Sequence, residues 1–372
     1  MNFLIKIKPK DDKMISIDDN TILNQCSLEL SKNKNLIDNY VKEWEIIKKI
    51  NHQYEYIYTS PNIKHNITSF IPVSRSYFKL KEILQDQKII TNETQNLTIF
   101  CIAEAPGGFI QSLLEYRKNI KSIGATTLLS KNKKIPYWNK LIRNDKLIQF
   151  FYGSKNDGNI CSFHNILSIL KNVGNHSIDI ITGDGGFDNS DDYNQQELNS
   201  LCLIYSEIFM ALNLQKKGGI FICKLFDLFL KETIQLLYIL FLSYEEIIIN
   251  KPCLSRMSNS EKYIICKNFK GYNQSLVNTL CRSFQTKDLN IQISSEFYEK
   301  IKEFNIIYTK NQINHIQSGL KLIQLKEFKR FPSKQQIEDS IEWCKKYNLP
   351  INKKNYYLNY YLNYFSNRTI TR

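Results

Sequence analysis

Short apolar runs alternate with amphipathic stretches from residue 97 to residue 267, and this alternation limits the folds open to the chain. Strands that alternate with helices form a mostly parallel sheet with helices on both faces. The sequence therefore predicts an α/β protein. The predicted strands are 97–103, 122–129, 147–152, 178–182, 219–223, 246–250 and 263–267, and the helices between them are 108–116, 165–171, 196–214 and 231–242.

The segments before and after this alternation have a different pattern. The last two predicted strands are joined too tightly for a crossover helix, so at least one edge pairing is predicted to be antiparallel. The first seventy residues predict a strand (3–7) and a helix (28–50), and helices are predicted again at 274–286, 295–306, 311–324 and 334–347. The tail 351–372 has no acidic residue, four basic residues and five tyrosines. Two interpretations stay open for this tail: an RNA-contacting arm or the end of an amphipathic helix.

Charge and composition limit the kinds of partner that the protein can have and the compartment in which it works. The chain has 50 Lys and Arg residues against 36 Asp and Glu, a net charge of +14 that favours nucleic acid as the partner. The most apolar run, 236–242, is far shorter than the roughly 20 residues of a membrane span, and no signal peptide is visible. Nine scattered cysteines without a CxxC spacing indicate free thiols inside the cell. We therefore predict an intracellular protein without a membrane span, a secretion signal or a metal site.

Five features carry residues suited to chemistry. The stretch IFCIAEAPGGFIQSLLEY (99–116) reads as a strand, a glycine-rich turn and a helix, an arrangement that places free N–H groups next to a ligand. Asp184 ends one predicted strand, Lys224 follows another, Glu261 precedes the last, and Lys79 lies on a helical stretch (74–84). Each of these fits a structural role when taken singly. Together they supply two lysines, an aspartate and a glutamate, with most of the features at one edge of the sheet.

The set resembles the FtsJ-like (RrmJ-type) ribose 2′-O-methyltransferases, whose catalytic tetrad Lys–Asp–Lys–Glu matches Lys79, Asp184, Lys224 and Glu261. The strings GDGGF (183–187), GGIFICKLFD (218–227) and SRMSNSEKY (255–263) are most similar to those of the mRNA cap-specific members. The resemblance runs from about residue 40 to residue 350. It implies a Rossmann-like methyltransferase fold with a seven-stranded, mostly parallel sheet, extended by helices at both ends, and S-adenosylmethionine (SAM) as cofactor.

The resemblance also implies ligand contacts. The residues expected to hold SAM are Glu104, Ala105, Pro106, Gly107, Gly108, Phe109, Thr126, Thr127 and Asn159. The residues expected to contact the RNA are Asn194, Gln195, Gln196, Ser255, Arg256 and Asn259. Two positions depart from the family pattern: Cys101 replaces an aspartate that opens the cofactor loop, and Asn159 replaces an aspartate on the adenine side. Glu104 is expected to compensate for the first.

The implied reaction suggests roles for the tetrad. Methyl transfer to a ribose hydroxyl needs a base, and a lysine is a base only when it has lost its proton. Burial and the nearby ammonium of Lys79 are expected to lower the pKa of Lys224. We therefore predict Lys224 as the general base, with Lys79 and Asp184 as orienting and electrostatic partners and Glu261 as an orienter near the 2′-hydroxyl.

These observations predict an enzyme that methylates the 2′-hydroxyl of the first transcribed nucleotide of capped RNA. The alternatives are an FtsJ-like methyltransferase for rRNA or tRNA, and an inactive methyltransferase fold that serves as an RNA-binding subunit. The predicted domains are an N-terminal extension (1–70), the methyltransferase domain (71–270), a helical layer (271–350) and the tail (351–372). Association with other capping or transcription components is a further expectation, with a cytoplasmic site for a viral enzyme and a nuclear site for a host enzyme.

Overall fold

The computed structural model describes residues 2–5, 13–17, 21–186, 193–328 and 331–366. The strands are β1 (Asn2–Ile5), β2 (Met14–Ile15), β3 (Leu97–Ile102), β4 (Ile120–Ala125), β5 (Ile148–Phe150), β6 (Ile178–Gly183), β7 (Gln215–Leu225), β8 (Tyr244–Asn250), β9 (Lys262–Phe269) and β10 (Ile293–Ser294). The helices are α1 (Thr21–Asn35), α2 (Val41–Ile50), α3 (Ser76–Asp86), α4 (Gly108–Leu113), α5 (Lys140–Arg143), α6 (Phe163–Val173), α7 (Gln196–Leu214), α8 (Lys231–Ser243), α9 (Gln274–Arg282), α10 (Ser295–Gln324), α11 (Lys334–Lys346) and α12 (Tyr356–Ser366).

One large sheet organises the chain, in the order β1-β8-β9-β7-β6-β3-β4-β5. Strands β5, β4, β3, β6 and β7 pair in parallel, and β9 is antiparallel to both β7 and β8. The predicted α/β fold and the antiparallel pairing of the last two predicted strands are confirmed. The seven predicted strands are joined by an eighth, β1, because the N-terminal segment pairs with the edge of β8, Asn2 opposite Asn250.

Alternating apolar side chains explain why helices cover both faces of the sheet. In β3, Ile99 and Cys101 belong to the core cluster that contains α3 and α4, whereas Phe100 and Ile102 belong to the cluster that contains α6, α7 and α8. Both sides of a central strand are therefore buried, as the continuous apolar run predicts. The polar residues at the ends of the strands are not part of this core and are available for a functional site.

The two extensions pack against each other as well as on the sheet. Leu30, Trp44 and Ile47 of α1 and α2 share a core with Ile316 and Leu320 of α10. A 3₁₀ turn (Leu36–Tyr40) divides the helix that the sequence predicts at 28–50. No helix within the described residues has the length and apolarity that a membrane crossing requires.

The C-terminal helices differ from the prediction at one place. The helices predicted at 295–306 and 311–324 form the single 30-residue helix α10, so the predicted break is wrong. Tyr308 and Thr309 are buried, and the inward-facing stripe therefore continues through the polar stretch that suggested a break. In the tail, α12 packs on residues 56–58 and on α11, while residues 367–372 lie outside the described part of the chain.

Candidate active site

Two ion pairs meet where the central strands end. The ammonium of Lys79 lies 2.7 Å from Oε1 and 2.8 Å from Oε2 of Glu261. The ammonium of Lys224 donates a hydrogen bond to the backbone oxygen of Asp184 at 2.7 Å and lies 3.3 Å from Oδ1 of that residue. All four side chains are between 12% and 16% exposed, so they are shielded but reachable. The structure thus brings the four predicted tetrad residues into two pairs.

Strand directions explain this convergence. Asp184 follows β6, and Lys224 is the penultimate residue of β7; the two strands are parallel, with Gly183 opposite Cys223. Glu261 precedes β9, which runs antiparallel to β7, so the start of β9 lies at the same edge as the end of β7. The fourth residue, Lys79, comes from α3 above this edge. The GDGGF motif is described up to Gly186, and its Phe187 lies outside the described residues.

Charges in the site act on Glu261 and Lys224 in opposite directions. Burial alone would raise the pKa of Glu261, but Lys79 and Lys224 lower that pKa to about 2. Burial alone would lower the pKa of Lys224, but Asp184, Glu261 and Glu207 together raise it. The expectation that Lys79 and burial depress the pKa of Lys224 is therefore wrong, because three carboxylates outweigh them. Lys224 rests as an ammonium ion.

Two further residues contribute to the site: Tyr263, which ends the string SRMSNSEKY, and Glu207, which lies outside the quoted motifs. Tyr263 stands opposite Lys224 on β9 and donates a hydrogen bond from its hydroxyl to Asp184 Oδ1 at 3.0 Å. Glu207, on α7, accepts from the Gly185 backbone N–H at 3.1 Å and from the thiol of Cys223 at 3.1 Å. Burial raises the pKa of Glu207 to about 7. Both residues hold the segment after β6 against the end of β7.

A cavity of about 580 Å³ opens beside Asp184 and Lys224, above the carboxyl ends of β3, β4 and β6. Its volume lies within the range of about 300–1,000 Å³ that is usual for small-molecule sites. Of the residues predicted to hold SAM, four line this cavity: Ala105, Pro106, Thr127 and Asn159. Apolar surface with a few hydroxyl and amide groups suits a nucleoside joined to an amino acid, so the residues present fit the cofactor.

The other predicted cofactor residues do not line the cavity but support the loop that does. Glu104 is buried, and its Oε1 accepts from the backbone N–H of Phe109 at 2.6 Å, at the start of α4. Burial and the nearby Asp184 raise the pKa of Glu104 well above its usual range. A side chain on Gly108 would come within 2.1 Å of the Ser74 hydroxyl, so this glycine allows α4 to approach α3. Gly107 is left-handed, with a φ of 110°, which favours glycine.

Unsatisfied buried atoms lie close to this cavity. Glu104 Oε2 and Thr126 Oγ1 have no hydrogen-bond partner among the described residues. A buried polar atom without a partner costs free energy, and a bound polar group is one explanation for such an atom. Thr126 immediately precedes the cavity-lining Thr127. This observation agrees with a polar ligand at the carboxyl end of β4.

The residues predicted to contact RNA fall into two groups. Asn194 and Gln195 are exposed and Gln196 is half-buried, in the segment that leads into α7. Ser255, Arg256 and Asn259 are instead engaged within the protein. Ser255 is 1% exposed and bonds to the Glu261 carbonyl at 3.1 Å, while Arg256 pairs with Glu55 at 2.7 Å. Their contacts hold the loop 255–261 in place.

Lys251 supports the same loop and has no signal in the sequence. Its buried Nζ donates to the backbone oxygens of Asn259 and Glu261, each at 2.7 Å, and to Asn259 Oδ1 at 2.9 Å. Burial, followed by the charge of Lys262, lowers the pKa of Lys251 well below its usual value. Lys251 could be found only from the structure, because its partners share no pattern with it.

The aromatic residues before α3 occupy two environments. Trp44 and Tyr56 are each 6% exposed and pack against α10 and Tyr357 respectively. Trp44 also lines, together with His52 and Tyr54, a second cavity of about 530 Å³, which the loop 255–261 borders. Burial and the nearby positive groups lower the pKa of His52 well below its usual value.

The sheet order, the cavity and the two ion pairs define an α/β methyltransferase. The family model for FtsJ-like methyltransferases matches residues 72–269, and the chain belongs to that family. Members of this family depend on S-adenosylmethionine, which is therefore the cofactor of this protein.

Curated relatives agree with this family. The chain is 31% identical over 261 residues to cap-specific mRNA (nucleoside-2′-O-)-methyltransferase 2 of Danio rerio, covering 65% of this chain and 35% of the relative. It is 32% identical over 186 residues to cap-specific mRNA (nucleoside-2′-O-)-methyltransferase 1 of Homo sapiens, covering 48% and 22%. The chain thus spans about a third or less of these relatives. A solved ribosomal RNA methyltransferase from Plasmodium falciparum is 24% identical with a TM-score of 0.40, over 54% of this chain and 99% of that one.

Proposed function

We propose that the protein transfers the methyl group of SAM to the 2′-hydroxyl of the first transcribed nucleotide of capped mRNA. The observation that carries this proposal is the convergence of two ion pairs, Lys79 with Glu261 and Lys224 with Asp184, of which the second lines the cofactor cavity. The names of the curated relatives support the cap as the RNA feature that is recognised. The net charge of +14 supports a polyanionic substrate.

The cofactor would lie against Ala105, Pro106, Thr127 and Asn159, which line the cavity. When bound, it supplies an electrophilic methyl group on a sulfonium ion. After Pro106, the left-handed turn at Gly107 and the close packing at Gly108 lead the chain from the cavity into α4. The buried Glu104 braces the loop through the Phe109 N–H, and burial holds its pKa well above the usual range.

The side chains of the tetrad would manage the proton of the 2′-hydroxyl. Lys224 rests as an ammonium ion held by Asp184, so it first stabilises negative charge that develops on the ribose oxygen. It acts as the base only after it has given up its own proton, and the rate then depends on the fraction that is neutral. Glu261 stays ionised because of Lys79, and this pair fixes the position of both groups.

Transfer of labelled methyl groups to three short RNAs of one sequence tests the proposal. The RNAs are capped, uncapped, and capped with the first 2′-hydroxyl already methylated. We expect label only in the capped RNA whose first 2′-hydroxyl is free. Equal label in the uncapped RNA would contradict cap recognition and favour the rRNA or tRNA alternative. No label in any RNA, with SAM binding confirmed by calorimetry, would contradict the enzyme and favour an RNA-binding subunit.

A further inference from the structure

Lys34, in the last turn of α1, reaches into the molecule behind the proposed active site. Its side chain is 9% exposed. The ammonium donates to Asp227 Oδ2 at 3.0 Å, to Ser260 Oγ at 3.2 Å and to the backbone oxygen of Tyr193 at 3.4 Å. A lysine has three donors, so each of them is directed to a different segment of the chain. Lys34 itself lies outside residues 72–269, which match the family model.

Each of the three segments belongs to the active-site edge. Asp227 lies three residues after Lys224, and Ser260 immediately precedes Glu261. Tyr193 immediately precedes Asn194, the first of the residues predicted to contact RNA. The next residue of α1 makes a parallel contact, because Asn194 Nδ2 donates to Asn35 Oδ1 at 2.7 Å. The end of α1 therefore connects the segment 193–195 to the loop 255–261 and to the end of β7.

The contacts around Lys34 form a network rather than a single ion pair. Ser260 also donates to Asp227 Oδ2 at 2.8 Å, and Gln312 of α10 donates to the Ser258 carbonyl at 3.2 Å. Burial would raise the pKa of Asp227, but Lys34 and Lys262 lower it. Asp227 is therefore a buried carboxylate that requires its positive partners. The ammonium also borders a small cavity of about 210 Å³ that Asn194 and Gln195 line.

We propose that Lys34 is a positioning residue for RNA methylation: it sets the placement of the segment 193–195 relative to the loop that carries Glu261. This inference rests on the proposed function, because it assigns the segment 193–195 to RNA binding. Lys34 lies away from the residues of the cofactor cavity, so its loss acts on RNA and leaves SAM binding intact. A misplacement of about 1 Å in such an arrangement can lower a rate by about a hundredfold.

The test compares four variants of the full chain. Lys34→Met removes the ammonium, but it leaves Asp227 buried without its main partner and can destabilise the fold. Lys34→Met/Asp227→Asn removes both charges of the ion pair, so neither of the two is left buried without the other. Asp227→Asn alone keeps the bonds from Lys34 to Ser260 and Tyr193. Lys32→Met, an exposed lysine on the same helix, is the matched control.

We expect the double variant to fold and to bind SAM within about twofold of wild type, as measured by calorimetry, while kcat/KM for capped RNA falls about tenfold or more. Lys32→Met should behave as wild type, and Asp227→Asn should lose less than the double variant. Wild-type kcat/KM for RNA in the double variant would overturn the proposal. A parallel loss of SAM affinity would also overturn it, because it would indicate a general structural role.

Hydrogen exchange separates this inference from the proposed function, because it needs no activity. In the double variant, amides of 193–198 and 255–261 should exchange faster than in wild type, while those of β3 and β4 should not change. Unchanged exchange in both segments would contradict the positioning role, whatever the substrate. An inactive wild-type protein would contradict the proposed function and leave the exchange comparison decisive for Lys34.

Discussion

Lys224 and Lys262 are buried lysines on neighbouring strands, and their environments have opposite effects. Tyr263 is the cross-strand partner of Lys224, and Lys262 precedes it, so the two lysines project to opposite faces of the sheet. Lys224 faces Asp184, Glu261 and Glu207, and its pKa is raised. Burial lowers the pKa of Lys262 to about 8, although Asp227 and Glu197 act against it. The balance between burial and the close carboxylates therefore sets how tightly each lysine holds its proton.

The two lysines also differ in the groups that their side chains contact. The ammonium of Lys262 donates to the Phe226 carbonyl and lies 5.0 Å from the ring centroid of Tyr308. Lys224 instead bonds to Asp184 and faces the cofactor cavity. Lys262 thus has a packing role between the sheet and α10, whereas Lys224 combines charge with access to a ligand. We infer that only the environment of Lys224 suits catalysis.

The largest expected effect comes from Lys224. Lys224→Ala and Lys224→Arg should both lower methyl transfer by about 10²–10⁴-fold, the usual contribution of a general base. Arginine keeps the positive charge but does not lose its proton at accessible pH. SAM affinity, measured by calorimetry, should stay within about twofold. An arginine variant with near wild-type turnover would show that Lys224 acts only through its charge.

The pH dependence of unfolding in acid tests the ionised state of Glu261. The pKa of Glu261 is about 2 in the folded protein against an ordinary value of 4.5, so its ionised form stabilises the fold. The contribution is complete above about pH 4.5 and is lost as the pH falls towards about 2; its size is up to about 3 kcal/mol. Urea unfolding of wild type and Glu261→Gln should give a difference that shrinks over this interval. A difference independent of pH would contradict the role of Lys79 and Lys224.

The pH dependence of unfolding in alkali tests Lys262, whose charged form destabilises the fold. Its pKa is about 8 in the folded protein against an ordinary value of 10.5, so the unfolded chain binds more protons between these values. The free energy of unfolding should therefore rise with pH across this interval, by up to about 3 kcal/mol. The rise is obtained as the difference between wild type and Lys262→Met, because other groups titrate in the same range. If the difference between wild type and Lys262→Met did not change with pH, the lowered pKa of Lys262 would be contradicted.

The smallest effect should come from a lysine at the surface. Lys216 lies 3.0 Å from Asp179, but its side chain is 59% exposed. Exposed pairs contribute less than about 1 kcal/mol, since water screens them. Lys216→Ala should therefore change the urea midpoint only slightly and leave methyl transfer unchanged. A loss as large as that of the buried lysines would show that burial is not the deciding property.

Local patterns predicted the sheet and the positions of the tetrad, because strand ends and apolar runs are visible within a few residues. They did not predict the continuity of α10, whose buried Tyr308 and Thr309 read as a polar interruption. Nor did they predict that β1 would pair with β8, since that contact joins residues almost 250 positions apart. Predictions based on the sequence were therefore most successful where the structure is local.

The site shows the same division. The tetrad could be found because each member has its own motif, but Lys34, Lys251 and Glu207 have none. Lys34 lies 193 residues from Asp227 and 226 residues from Ser260. The direction of the Lys224 pKa also depends on Glu207, which lies on a helix without a motif. Charge balance in a buried site requires every neighbour, and a sequence does not specify the neighbours.

The pH dependence of kcat with saturating SAM and capped RNA tests the central claim most directly. If Lys224 rests as an ammonium ion and must lose its proton to act as base, the rate should rise about tenfold per pH unit from about pH 6 to about pH 9, without a plateau. Binding and folding, followed by anisotropy and circular dichroism, should stay constant over this range. A plateau beginning near about pH 7 would contradict the account, because it would mean that the group that accepts the proton has a lowered pKa.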